Sequence, residues 1–150
     1  MEIVKRVFDA YNRRDLAGLE ALNHPDVELD WSASRGFVAG VYRGFDEFQR
    51  FWTGYFDAFE ETTAEPGRFI DAGESVVVPN VAHMRGRGDI EVSARSAIVF
   101  TFRSHRITRM CLHQETGEAL EGRGSAGVGG EARRSRRSQR WSERLSRRWL

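Results

Sequence analysis

The chain has 150 residues, of which 40% are hydrophobic, 30% charged and 11% aromatic. That is long enough for one domain with a real core, and too apolar for a chain disordered throughout. No apolar run reaches the roughly 18 residues of a membrane-spanning helix. A single cysteine, Cys111, excludes an internal disulfide and predicts a reducing, cytoplasmic setting.

The formal net charge of +1 hides an asymmetry. From Gly122 onward nine arginines face Glu131 and Glu143, a balance of +7, so the preceding 121 residues carry −6. An acidic body is joined to a basic tail.

Ile3, Val4, Val7, Phe8 and Tyr11 recur at helical spacing and predict a first helix over about residues 2 to 13. This segment is amphipathic and charged, so it does not read as a secretory signal. Asp15 is placed to cap a short second helix bearing Leu16, Leu19 and Leu22, with His24-Pro25 as its stop. "HPDVELDW", residues 24 to 31, reads as a strand. In it Glu28 and Asp30 lie two apart and share a face, which looks either into water or into a cavity.

After the loose "SASRGFVAGVYRG" comes the clearest helix, marked by Phe45, Phe48, Phe51, Trp52, Tyr55, Phe56 and Phe59. Its aromatic face suits covering a sheet, and lining a pocket is compatible with that. Beyond "TTAEPG" the period becomes that of strands, expected near 67–72, 75–86, 90–103 and 106–115. The short links "DAGE", "GRGD" and "RSHR" imply antiparallel hairpins, although the last lacks glycine. "GEALEG" reads as a short helical turn. The expected organisation is a folded domain over 1–121 and an Arg/Gly/Ser-rich flexible tail over 122–150, with a transient helix conceivable over 139–150. Helices followed by a curled antiparallel sheet make an α+β layout.

The phrases "FDAYNRRDLAGLEALNHPDVELD", "VYRGFDEFQRFW", "FIDAGESVVV", "RGRGDIEV" and "FTFRSHRITRM…GEALE", in this order across residues 3 to 121, resemble the SnoaL-like branch of the nuclear transport factor 2-like superfamily. The resemblance implies a cone-shaped, curved antiparallel sheet wrapped around N-terminal helices, with an internal cavity. Relatives include polyketide cyclases, ketosteroid isomerases, epoxide hydrolases and dehydratases, so the fold says little about the reaction.

By the same resemblance, Asp30 falls where ketosteroid isomerases carry their proton-abstracting carboxylate, facing the cavity. A carboxylate in an apolar cavity has a raised pKa and can serve as a base. His83 shares a face with Pro79, Val81 and Arg85, which the resemblance turns inward, and would be its acid–base partner. Tyr11, Glu28, Phe51, Trp52, Ile98 and Phe100 are the expected substrate contacts. The isomerase oxyanion donors match Val7 and Ile98 here, neither of which can donate. Tyr11, one turn beyond Val7, is the available substitute, and steroid isomerisation is not expected.

His113 is left without an assigned facing, and His24 and His105 sit in turns. The histidines and Cys111 show no metal-ligand spacing, so no metal and no cofactor are expected. No nucleophile elbow surrounds a serine, and Cys111 has no base beside it in the sequence. "GRGD" lacks the strand–loop–helix order of a phosphate site.

Two functions follow. One is cofactor-free acid/base chemistry, of isomerase, cyclase or dehydratase type, on a small apolar carbonyl compound. The other is a non-catalytic ligand-binding or dimerisation module. The expected partner is a small hydrophobic molecule, with no membrane association and with nucleic acid hinted at only by the basic tail. A homodimer is expected through the strand face bearing Ala97, Val99 and Thr101, unless the C-terminal tail covers that face.

Overall fold

The computed structural model describes residues 1–35 and 38–122. Of the tail expected over 122–150, Gly122 ends a helix, and residues 123–150, with the expected helix over 139–150, lie outside the described residues.

Helix α1 spans Glu2–Asn12 and buries Val4, Val7, Phe8, Ala10 and Tyr11, the stripe expected from the spacing. Asp15 caps α2, Leu16–Ala21, by accepting from the Gly18 backbone N–H at 2.9 Å. The chain then enters β1, Asn23–Asp30, so His24-Pro25 lies inside a strand and the helix ends just before it. Strand β2, Val41–Arg43, pairs with β1 and leads into α3, Gly44–Ala58.

The strands begin earlier than expected, within "TTAEPG" itself. Glu61–Pro66 forms β3, an edge strand pairing with β5. Its alternation is masked by alanine and threonine, which carry little hydrophobic signal. The strand expected over 67–72 shrinks to β4, Ile70–Asp71. Strands β5, Ser75–Arg85, β6, Glu91–Arg103, and β7, Arg106–His113, are close to their expected limits, and α4, Thr116–Gly122, follows. The "RSHR" hairpin turns through Ser104 and His105 with φ of 52° and 63°. A two-residue loop with both φ positive is the hairpin geometry that matches strand twist, here built without glycine.

The sheet order is β2-β1-β7-β6-β5-β3, with β4 on β5. It is antiparallel except that β1 runs parallel to β7, a long-range pairing that no local hairpin signal could announce. The sheet has two distinct faces. Val76, Val78 and Phe100 join α1 and α3 in the main core, with Leu29 and Met110. Val77, Ala97, Val99 and Cys111 point the other way and are covered by Ala119 of α4. Of the strip expected to need a second subunit, Ala97 and Val99 are covered by the chain itself, and Thr101 is half-buried.

Candidate functional site

Register decides which expected site residues meet. In β1, Val27 and Leu29 are buried toward the helices, so Glu28 and Asp30 project from the opposite face. They sit there beside β7, where Glu28 is level with Arg109 and Asp30 with Cys111. Arg109 donates from Nε to Glu28 at 3.2 Å and from its terminal nitrogen to Asp30 at 2.9 Å. Arg43 reaches Glu28 from the other side at 3.2 Å. This is a cross-strand ionic ladder on the outer face. It corrects the expectation that Asp30 and Glu28 look into the interior.

The electrostatics of Asp30 are corrected too. Burial pushes its carboxyl pKa up, but the Ser32 hydroxyl and backbone N–H, with Arg109, outweigh burial and hold it below the ordinary value. The result is a stably ionised carboxylate, the opposite of a base poised near neutrality.

His83 is likewise outside. Its Nδ1 is 2.8 Å from the Ser93 hydroxyl and its Nε2 3.6 Å from Glu65, and its side chain is 42% exposed. His83 does share a face with Pro79, Val81 and Arg85, but that face is the solvent face, because Met84 and Val76 take the inner one.

His113 lies on the outer face, with Nε2 3.3 Å from the Cys111 sulfur. A base does therefore stand beside the thiol. Burial pushes the thiol up to about 11 and pushes the imidazole below its usual value. Both partners are neutral, so the pair does not supply a thiolate nucleophile.

Five of the expected contacts do come together inside. Tyr11, Phe51, Trp52 and Phe100 are buried in the main cluster, and Ile98 packs against it. Trp52 is central, with ring centroids 5.8 Å from Tyr11, 5.6 Å from Tyr55 and 6.0 Å from Trp31. Fully burying a side chain of this size contributes roughly 1.5–3 kcal/mol, so the cluster is first of all core.

Its polar atoms are the unusual part. The Tyr11 and Tyr55 oxygens are 2.8 Å apart, and Tyr55 donates its hydrogen to the Met84 sulfur at 3.2 Å. Burial raises both phenol pKa values, well above normal for Tyr11, so both remain protonated donors. The indole N–H of Trp52, a residue only 5% exposed, has no hydrogen-bond partner among the described residues. Tyr55, Met84 and Trp31 were missing from the expected contacts. Tyr55 was visible in the helical aromatic stripe, three residues after Trp52, whereas Met84 needed the strand facing.

Cover over the inner face is uneven. Val76, Val78 and Phe100 are fully buried, but inward-facing Ala82, Ala94, Ser96 and Ile98 are only half-buried. The helices close one end of the concave sheet more tightly than the other.

A curved, unclosed sheet packed with helices is the fold of the NTF2-like proteins. The chain belongs to the SnoaL-like domain family, whose model matches residues 4–110. A solved NTF2-like protein of unknown function from Burkholderia pseudomallei is similar at 27% identity and TM-score 0.68, over 81% of this chain and 94% of that one. TerC, co-crystallised with polyporic acid, is similar at 21% identity and TM-score 0.68, over 83% and 97% of the two chains. The epoxide hydrolase/cyclase-like enzyme SalBIII, from pyran ring formation in salinomycin, is similar at 22% identity and TM-score 0.65, over 76% and 88%. No curated protein matches the chain.

Proposed function

We propose that this domain binds a small, apolar, ring-containing molecule on its concave face and holds one oxygen of that molecule with Tyr55 and Trp52. One observation carries the reading. Two buried donors are poorly used: the Tyr55 hydroxyl is bonded to a thioether, a weak acceptor, and the Trp52 N–H has no acceptor among the described residues. A stranded buried donor costs about 1–3 kcal/mol. A ligand carbonyl oxygen relieves that cost, and the surrounding rings supply the apolar contact area.

Binding is favoured over proton abstraction. The residues that β3, β5 and β6 turn inward are Thr62, Ala64, Pro66, Asn80, Ala82, Met84, Ala94 and Ser96 with Val76, Val78, Val92, Ile98, Phe100 and Phe102, none of which can serve as a carboxylate or imidazole base. Asp30 and His83 have their partners on the far side of the sheet. TerC, of similar fold, was co-crystallised with polyporic acid, so a neighbour of this fold takes a small organic molecule.

Calorimetric titration with 1-tetralone and with tetralin, its oxygen-free counterpart, tests the reading. The ketone should bind about two- to tenfold more tightly, the worth of one net hydrogen bond, and Tyr55→Phe should shrink the difference. Equal affinity of the wild-type protein for both compounds would overturn it.

A further inference from the structure

Three alanines face one another across the inner sheet. Ala64 of β3 is level with Ala82 of β5, and Ala82 with Ala94 of β6. One row away on one side lie Thr62, Met84 and Val92; one row away on the other lie Pro66, Asn80 and Ser96. Side chains two apart on a strand share a face, and their rows are separated by about 7 Å. Methyl groups between rows of larger side chains leave a trough across three strands, roughly 10 Å from first to last strand.

The two walls are chemically different from the floor. The Met84 wall carries the Tyr55 hydroxyl, in contact with the sulfur. On the other wall Asn80, only 6% exposed, donates from Nδ2 to the Ser96 hydroxyl oxygen at 3.2 Å. Accepting that bond leaves the Ser96 O–H free to donate.

The trough is closed at one end and open at the other. Ala64 is buried, and its backbone N–H and C=O are both taken by the Asn12 side chain of α1. Ala82 and Ala94 are half-buried. The β6–β7 pairing begins only at Ala97, level with His113, so Ala94 lies past the paired length of β7.

We propose that this alanine trough is the seat of the ligand ring and that Asn80 and Ser96 read a second oxygen at its far edge. The ligand class is then narrowed to a flat molecule of one or two rings with oxygen functions at opposite edges: a carbonyl toward Tyr55 and a hydroxyl or carbonyl toward Ser96. This rests on the binding reading above and adds a floor and a second polar contact to it.

The test compares 1-tetralone with 6-hydroxy-1-tetralone, which adds a hydroxyl at the opposite edge, by calorimetric titration of the full chain. The hydroxylated ketone should bind about three- to tenfold more tightly, the scale of one added hydrogen bond. Ser96→Ala, at a half-buried position, and Asn80→Leu should each remove that gain, so that the two ketones bind each variant with equal affinity. Ala94→Leu, near the open end, and the smaller filling Ala82→Val should weaken both ketones, with melting curves confirming folded protein. If 1-tetralone binds and Tyr55→Phe weakens it, yet the hydroxyl adds nothing or filling the trough has no effect, the trough is not the seat and the simpler binding reading stands. If neither ketone binds, both readings fall.

Discussion

Tyr55 gives its phenolic hydrogen to the sulfur of Met84, 3.2 Å away, while its oxygen lies 2.8 Å from that of Tyr11. The donor is buried and the acceptor is weak. Met84→Leu conserves volume, a change that by itself costs under about 1.5 kcal/mol, but it also removes one acceptor and leaves the Tyr11 oxygen as the hydroxyl's remaining partner. It should lower stability by about 1 kcal/mol in the wild-type protein and by clearly less in Tyr55→Phe. Equal losses in denaturant melts of the two backgrounds would show that the contact contributes nothing.

The same pair fixes an alkaline limit. Burial disfavours the charged phenolates, so the folded pKa values of Tyr11 and Tyr55 lie above the unfolded value of 10.0. Above that value the unfolded chain releases protons that the folded chain keeps, so stability is complete below it and falls as pH rises further. Tyr11→Phe should flatten this fall in melting curves taken from pH 9 upward. An unchanged slope would place the phenol outside the core.

Asn12 stands in for a missing neighbour strand. Its amide donates to the Ala64 carbonyl at 3.1 Å and accepts from the Ala64 N–H at 2.7 Å, on the edge strand β3. Asn12→Ala should cost about 1–3 kcal/mol by leaving both groups unpaired. Hydrogen exchange at the Ala64 amide should quicken while β5 and β6 stay protected. Uniform quickening would mean global destabilisation instead.

Elements with a strong local signal were legible: the α1 stripe, the Asp15 cap, the aromatic face of α3 and the long strands β5 and β6. Facing was legible only as parity. Alternation put Glu28 with Asp30 and His83 with Val81, and it could not say which parity meets the helices. That is decided by the parallel docking of β1 on β7, which pairs residues some eighty positions apart. The apolar contacts were found because burial follows hydrophobicity. The Tyr55–Met84 contact and the alanine row were not, because each depends on two-dimensional register.

Cys111, the only cysteine, reports on α4. It is buried in the outer cluster with Ala119, and burial raises its pKa to about 11. Its reaction with a disulfide reagent at pH 8 should be slow. Ala119→Arg should lift α4 and speed the reaction by about tenfold or more, since thiolate fraction and access both rise. A fast wild-type reaction would show that α4 does not cover this face.

On the proposed reading the inner aromatic face, not the outer Asp30–Arg109 ladder, holds the ligand. Nitrogen–proton correlation spectra report on both at once. On titration with 1-tetralone, the indole N–H of Trp52, assigned by its loss in Trp52→Phe, should move downfield as it gains an acceptor, and the Arg109 Nε–H should stay in place. Movement of the Arg109 signal with a stationary Trp52 indole would contradict the account and return the function to the outer carboxylates.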